Sequence, residues 1–271
     1  MRNGFKIIDS HCHIYPDKIA GKASQSISDF YGGMPMRNDG SLKRLFDVGD
    51  AAGADMFIVN SVALTPGHAA TINRYIAEAA RESGGRLFGL GALHPDSADI
   101  ERDIRLIKQL GLKGVKLHAD IQRIAIDDPR CFKIYEILQA ENLPVLLHTG
   151  DSRYQYSNPE NVVPALESFK KLTFIGAHYG GWSVWEEAAK RLARYENFYA
   201  DTSSTFGCAG IEFVKKLLPK YDINRVLFGS DYPMWNPSDE LDSLFSLGLP
   251  QEQYKKILCE NCERAYKLNI E

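Results

Sequence analysis

Two histidines near the start of the chain, His11 and His13, stand in the run Phe5-Lys6-Ile7-Ile8-Asp9-Ser10-His11-Cys12-His13-Ile14. The run reads as a strand. Successive strand side chains point to opposite faces, so the two imidazoles project the same way, roughly 7 Å apart along the backbone. Such a pair can share one divalent cation when further ligands arrive from elsewhere. Two ordinary strand-end histidines are the competing reading. Later apolar runs supply more donors at their ends: Lys116 and His118, His148, His178, Asp201 and Asp231. His94 follows another such run, and His68 alone among the seven histidines lies elsewhere. Buried rings need partners, and a metal centre would explain both the residue types and their shared placement.

The elements carrying these residues alternate in a regular way. After the first strand, apolar runs occupy 55–60, 86–93, 114–118, 144–148, 173–178, 197–201 and 225–231. Segments with helical periodicity lie between and after them, at 41–52, 68–83, 98–110, 128–141, 159–171, 184–195, 211–218, 240–245 and 251–267. Continuous apolar runs suit strands covered on both faces, and strict alternation implies a parallel sheet. Eight such units in about 250 residues predict an α/β fold of the (β/α)8 barrel kind. A doubly wound sheet would place a Gly-rich phosphate turn after an early strand, and none occurs. No linker or charge run divides the chain, so residues 1–271 read as one domain. In such a barrel the C-terminal strand ends meet at one mouth, where active sites lie. The stretch 15–40, polar and without clear periodicity, reads as a long loop forming a lid over that mouth, or else a strap at its side.

Composition narrows the partners. With 271 residues the chain can bury a large core, and a net charge of −3 with no basic run gives a nucleic-acid surface no support. No apolar run is long enough to cross a bilayer. The strand begins too early to leave room for a signal peptide, so a cytoplasmic location is expected. The five cysteines fit reduced thiols, and Cys259-Glu-Asn-Cys262 lacks the second pair that a structural zinc needs. A small molecule is the expected partner, with neither nucleic acid nor membrane, and a homodimer is the assembly considered.

Asp9-Ser10-His11-Cys12-His13, His148, Gly176-Ala177-His178 and Gly229-Ser230-Asp231-Tyr232-Pro233 together resemble the amidohydrolase superfamily. Within it they are similar to the branch of small amidohydrolases and the aminocarboxymuconate-semialdehyde decarboxylase group. Lys113-Gly114-Val115-Lys116-Leu117-His118 adds to the likeness, which runs from the first strand to the eighth. The resemblance implies that His11, His13, His148 and Asp231 bind a divalent metal, zinc ahead of manganese, iron or nickel, as one ion or two. An ion there would bring a bound water towards a pKa of about 7. Asp231 would take that water's proton and pass it to the leaving group. His178 would orient the substrate or bind a second ion.

Lys116 has three readings: a carboxylated bridge between two metals, a partner of Asp201, or a clamp on a substrate carboxylate. His118 would contact substrate or support the site from behind. Arg153 suits a carboxylate bidentately, and Trp182 and Trp185 are further loop candidates. Cys12 points outward and is no ligand. The chemistry expected first is metal-dependent hydrolysis of a small amide, lactone or ester. The alternative is non-oxidative decarboxylation of a small unsaturated or aromatic acid on the same site. The chain's shortness favours hydrolysis, because decarboxylases of the group tend to carry larger insertions. TatD-like nucleases share the first-strand motif but would be expected to carry a glutamate where Lys116 stands.

Overall fold

A computed structural model describes residues 1–270. β1 (Ile8–His13) leads into α1 (Asp17–Phe30) and α2 (Leu42–Ala52), and β2 (Met56–Asn60) into α3 (Ala69–Glu82). β3 (Leu87–Gly89) and β4 (Gly91–Ala92) precede α4 (Ile100–Gln109). β5 (Val115–Leu117) is followed by α5 (Ala119–Gln122) and α6 (Pro129–Ala140), and β6 (Val145–Leu147) by α7 (Pro159–Ser168). β7 (Phe174–Gly176) leads to α8 (Trp185–Leu192), and β8 (Phe198–Asp201) to α9 (Thr205–Ala209) and α10 (Ile211–Leu217). β9 (Val226–Leu227) precedes α11 (Pro237–Phe245), α12 (Gln251–Lys255) and α13 (Asn261–Tyr266).

Every strand pairing is parallel. Leu90 N–H bonds to Val59 C=O on one side and Gly91 N–H to Gly114 C=O on the other, so β3 and β4 are halves of one strand. The first and last strands meet through Ser10 N–H to Phe228 C=O at 2.9 Å and His13 N–H to Tyr232 C=O at 2.7 Å. The architecture is the (β/α)8 barrel that the alternation predicts.

The strand period of two sorts the core into two layers. Ile8, Ile58, Leu90, Leu146, Ile175 and Leu227 fill the barrel interior together with Cys262, Ala265 and Tyr266 of α13. Ile7, Phe57, Val59, Val115, Leu117, Val145, Leu147, Phe174 and Val226 face the helices. Lys116, His118, His148 and Asp201 have inward parity and lie beyond these plugs, towards the strand ends. β1 reaches the same result by a register shift. Ile8 pairs with Met56 and Asp9 with Phe57, but Cys12 pairs with Val59, which marks a bulge between Asp9 and Cys12. Without that extra residue, inward Ile8 would put Cys12 inside and His11 and His13 outside. With it, both histidines turn inward and Cys12 joins the outer layer.

One expectation is corrected. The stretch 15–40 is not a structureless loop, since α1 occupies 17–30. Ala20, Ser24 and Ser28, spaced four apart, are its buried face. Small and hydroxyl residues pack there in place of Leu or Val, while Ala23, Ile27 and Phe30 of the same helix line the cavity. By contrast α2 is punctuated as the sequence suggests. The Ser41 hydroxyl accepts Arg44 N–H at 3.2 Å, and Gly53 closes the helix at φ 77° in the left-handed region.

Candidate active site

The barrel mouth gathers His11, His13, Lys116, His118, His148, His178 and Asp231 on one cavity floor. His11 Nδ1 lies 2.8 Å from Asp201 Oδ2. A carboxylate only accepts, so the proton sits on Nδ1 and the Nε2 lone pair faces the cavity. That Nε2 is 3.2 Å from His13 Nε2, 3.6 Å from Asp231 Oδ1 and 3.3 Å from Lys116 Nζ. His13 Nε2 and Asp231 Oδ1 are 3.4 Å apart. His178 is fixed from behind in the same manner. Its Nδ1 lies 3.0 Å from the Ser203 carbonyl, leaving an Nε2 lone pair aimed at His148 Nδ1, 3.2 Å away.

Three donors thus converge at separations of 3.2–3.6 Å. These match the edges of a coordination polyhedron with bonds of about 2.0–2.2 Å. His13 Nδ1 has no hydrogen-bond partner, so Nε2 is the engaged atom of that ring. The residues fit a divalent ion. His118, Asp120 and His148 form a second group close enough to share one. The tautomer of His118 opposes that use. Its Nδ1 accepts Ile121 N–H at 3.3 Å, so its Nε2 carries a proton and donates to Tyr31 Oη, also at 3.3 Å. Its ring lies flat on His148, centroids 3.9 Å apart and planes within 7°.

Electrostatics prepare the floor for a cation. Burial, with Lys116 adding to it, lowers the His11 pKa to about 4 despite Asp201. Burial lowers His13, and it holds His118 and His148 well below the usual imidazole value. Burial would raise Asp231, but the surrounding imidazoles of His11, His13 and His178 outweigh it and hold the carboxyl far below its usual range. Neutral rings beside an ionised carboxylate are what a metal requires. Burial also brings Lys116 down to about 8. Asp231 Oδ2 accepts the Ser204 hydroxyl at 2.6 Å, which aims Oδ1 at the floor. His178, Ser204 and Asp231 all adopt left-handed backbone, at φ 59°, 57° and 63°. That conformation is uncommon outside glycine and gathers at functional sites.

Above the floor the cavity holds about 340 Å³. Its walls are apolar. Ile27, Phe30 and Tyr31 come from the end of α1 and the residue after it, and Val62, Leu64, Ile121 and Met234 from strand-end loops. The 15–40 segment therefore does cover the mouth, but as a helix.

The amidohydrolase family matches residues 8–268. The chain belongs to that family. No curated protein matches it. An uncharacterized TIM-barrel protein from Bordetella bronchiseptica is similar in structure at 21% identity and TM-score 0.80, covering 97% of this chain and 99% of that one. A 2,6-dihydroxybenzoate decarboxylase bound to 2,6-dihydroxybenzoate matches at 18% identity and TM-score 0.76, over 97% and 100%. The 5-carboxyvanillate decarboxylase LigW from Sphingomonas paucimobilis matches at 16% and 0.75, over 98% and 100%. Similar too are a dihydroxybenzoic acid decarboxylase from Polaromonas with bound manganese, at 17% and 0.74 over 98% of both chains, and a probable 2-pyrone-4,6-dicarboxylic acid hydrolase from Acinetobacter baumannii, at 14% and 0.72 over 97% and 100%. At these identities the likeness shows the fold.

In this amidohydrolase the structure brings together His11, His13, Lys116, His118, His148, His178 and Asp231, with Asp201 behind His11, while His94 lies apart beside Asp96. His148 stands across the floor beside His178 and not within the tightest donor set. The three loop candidates lie elsewhere, Trp185 opening α8 against Phe213. Arg153 and Trp182 are packed behind Phe30 and Tyr31, not on the cavity wall, and the Arg153 guanidinium is already taken by Asp151 and the Phe30 carbonyl. Asp120, Ser203 and Ser204 escape the sequence reading. The run Asp201-Thr202-Ser203-Ser204-Thr205, five carboxyl or hydroxyl residues after an apolar strand, was the available signal for the serines. Among the described residues no helix is long and apolar enough to cross a membrane.

Proposed function

We propose that this amidohydrolase is a metal-dependent, non-oxidative decarboxylase of a small aromatic or unsaturated carboxylic acid. The observation that carries the reading is a polar floor roofed by an apolar, ring-walled cavity of about 340 Å³, room for a single-ring acid with water largely excluded. Hydrolysis, the chemistry expected first, would also need an attacking water beside the substrate. The structural match runs the full length of two decarboxylases, which removes chain length as an argument for hydrolysis.

His11, His13 and Asp231 would hold the ion, with His148 completing the set through Nδ1. When bound, the ion supplies Lewis acidity and an anchor for an anionic substrate. Manganese and zinc both suit two imidazoles and a carboxylate, and the bound manganese of the Polaromonas enzyme is reason to try manganese before zinc. The carbon–carbon bond to the carboxylate breaks, carbon dioxide leaves, and the electron pair stays on a carbon that takes up a proton. Asp231 Oδ1, ionised and aimed by Ser204, takes a proton from a substrate hydroxyl and returns it to that carbon. Lys116 and His178 flank the carboxylate as it loses charge, Lys116 as a cationic clamp. Tyr31 Oη, held by His118 Nε2, offers a hydrogen bond to a ring substituent. Residues 1–271 act as one domain in this reading.

Hydrolysis stays as a second reading on one observation: the same ionised Asp231 is the base that an attacking water would need. Metal-stripped protein reloaded with manganese or zinc should be given 2,6-dihydroxybenzoate, 5-carboxyvanillate and 2-pyrone-4,6-dicarboxylate in D2O. The expected result is metal-dependent carbon dioxide release, with one deuterium on the vacated carbon of the product. Opening of the pyrone lactone without carbon dioxide would overturn the decarboxylase and support hydrolysis.

A further inference from the structure

α1 closes on its own backbone at Ile27, Ser28 and Asp29, whose carbonyls accept the N–H groups of Tyr31, Gly33 and Gly32. Its last turn carries no basic residue, although the helix dipole favours a cation there. A cation arrives from another part of the chain. Arg153, in the loop after β6, donates from Nη1 to the Phe30 carbonyl at 2.7 Å. Its remaining edge grips Asp151 bidentately, Nε to Oδ1 at 2.9 Å and Nη2 to Oδ2 at 2.7 Å. Asp151 is fully buried, so the fork is anchored to the barrel and does not float in solvent.

Four rings surround the guanidinium: Phe30 and Tyr31 at 5.0 Å, Tyr154 at 5.2 Å and Trp182 at 5.3 Å. Two of these belong to the lid and two to the strand-end loops. Phe30 stacks on Tyr154 at 5.5 Å, and Tyr31 meets Trp182 edge-on at 5.0 Å. A planar cation in that position joins both halves at once, which a lysine ammonium could not do. On the cavity side, the same two lid residues close the site. Phe30 packs edge-on to His118 at 6.0 Å, and Tyr31 Oη covers His118 Nε2.

We propose that Arg153 is a positioning residue: it latches the end of α1 to the loops after β6 and β7, keeping Phe30 and Tyr31 over the histidine floor. The guanidinium touches no cavity space and contacts no substrate. The latch is independent of which reaction the site performs.

The test compares the full-length protein with Arg153→Met and Arg153→Lys, reading amide hydrogen exchange by segment and diethyl pyrocarbonate acylation of each histidine by peptide mass. The reagent acylates a neutral imidazole at its lone-pair nitrogen, and Phe30 and Tyr31 cover the His118 ring. In Arg153→Met, exchange over 17–30 should rise by about tenfold or more, with β1 and β6 unchanged. His118 acylation should rise by a similar factor, while His94, buried away from the lid, stays at its wild-type rate. Arg153→Lys keeps the charge but not the fork and should fall between, and it carries the test if Arg153→Met does not fold. Wild-type protection of both α1 and His118, or loss spread evenly over α1, β1 and β6, would overturn the latch.

Discussion

His11 on the floor and Tyr31 in the lid both face the cavity, yet they are held by different means. His11 sits on a strand, its Nδ1 fixed by Asp201, which in turn accepts the backbone N–H of His178 and of Ser203, each at 3.0 Å. Tyr31 follows a helix end and rests on ring packing with Trp182 and one 3.3 Å contact to His118. The floor is locked by backbone ladders and by the hydrogen bonds of Asp201 and Ser203 behind the rings. The lid is locked by side chains reaching in from neighbouring loops. Damage to the floor should therefore remove chemistry or metal, and damage to the lid should change access and selectivity while the metal stays.

The largest effect should come from Asp231→Asn. It keeps the size and one oxygen, so His11 and His13 still retain some metal, but the amide cannot hold the proton. Turnover should fall by about 10² to 10⁴, read as rate per bound metal. A rate near wild type with full metal would take Asp231 out of the chemistry.

Next is Asp201→Asn, aimed at the back of the floor. The amide keeps one oxygen, so it can accept from the N–H groups of Ser203 and His178 or from His11 Nδ1, but not from both sides, and the His11 tautomer is no longer fixed. Loss of such an outer partner weakens metal binding by about 10- to 100-fold, measurable by chelator competition. Hydrogen exchange of α1 should stay as in the wild type. Equal loss of lid protection would erase the distinction between the two regions.

The pH response comes third. Burial holds the folded pKa of His11 near 4 against 6.5 in a free imidazole. Between those values the unfolded chain binds the proton and the folded one does not, so this ring's contribution to stability is lost as pH falls from about 6.5 towards 4. Asp9 and Asp120, raised by burial to about 6, act oppositely, because their neutral forms favour the fold and that gain fades as pH rises through 6. Metal affinity discriminates better. Two unperturbed imidazoles would lose about 30-fold between pH 6.5 and 5.5, whereas rings already neutral should lose less than about threefold. A steep loss over that unit would show that burial does not keep the rings unprotonated.

The smallest effect is expected at the lid. Tyr31→Phe removes one hydroxyl from His118, about 1 kcal/mol of hydrogen bonding. KM should rise about fivefold while metal content is unchanged, seen in steady-state kinetics alongside elemental analysis. A fall in bound metal would mean that Tyr31 belongs to the floor.

Much of the floor was legible in the sequence, because strand parity and strict strand–helix alternation are strong signals. Lys116, His118, His148 and Asp201 face inward by period two alone. The β1 histidines share a face for the same reason, but their inward direction depends on a bulge that no residue pattern announces. His178 and Asp231 turn inward through left-handed backbone, visible only in the fold. The lid was less legible. Its buried face is made of Ala and Ser, and its anchor, Arg153, lies more than a hundred residues away in sequence. Arg153, expected as a contact to a substrate carboxylate, grips the carboxylate of Asp151.

The most direct measurement is an anomalous difference map from crystals soaked in manganese. The expected result is a peak about 2.0–2.3 Å from His11 Nε2, His13 Nε2 and Asp231 Oδ1. A peak only among His118, Asp120 and His148, or none on the floor, would contradict the metal centre on which the proposed chemistry depends.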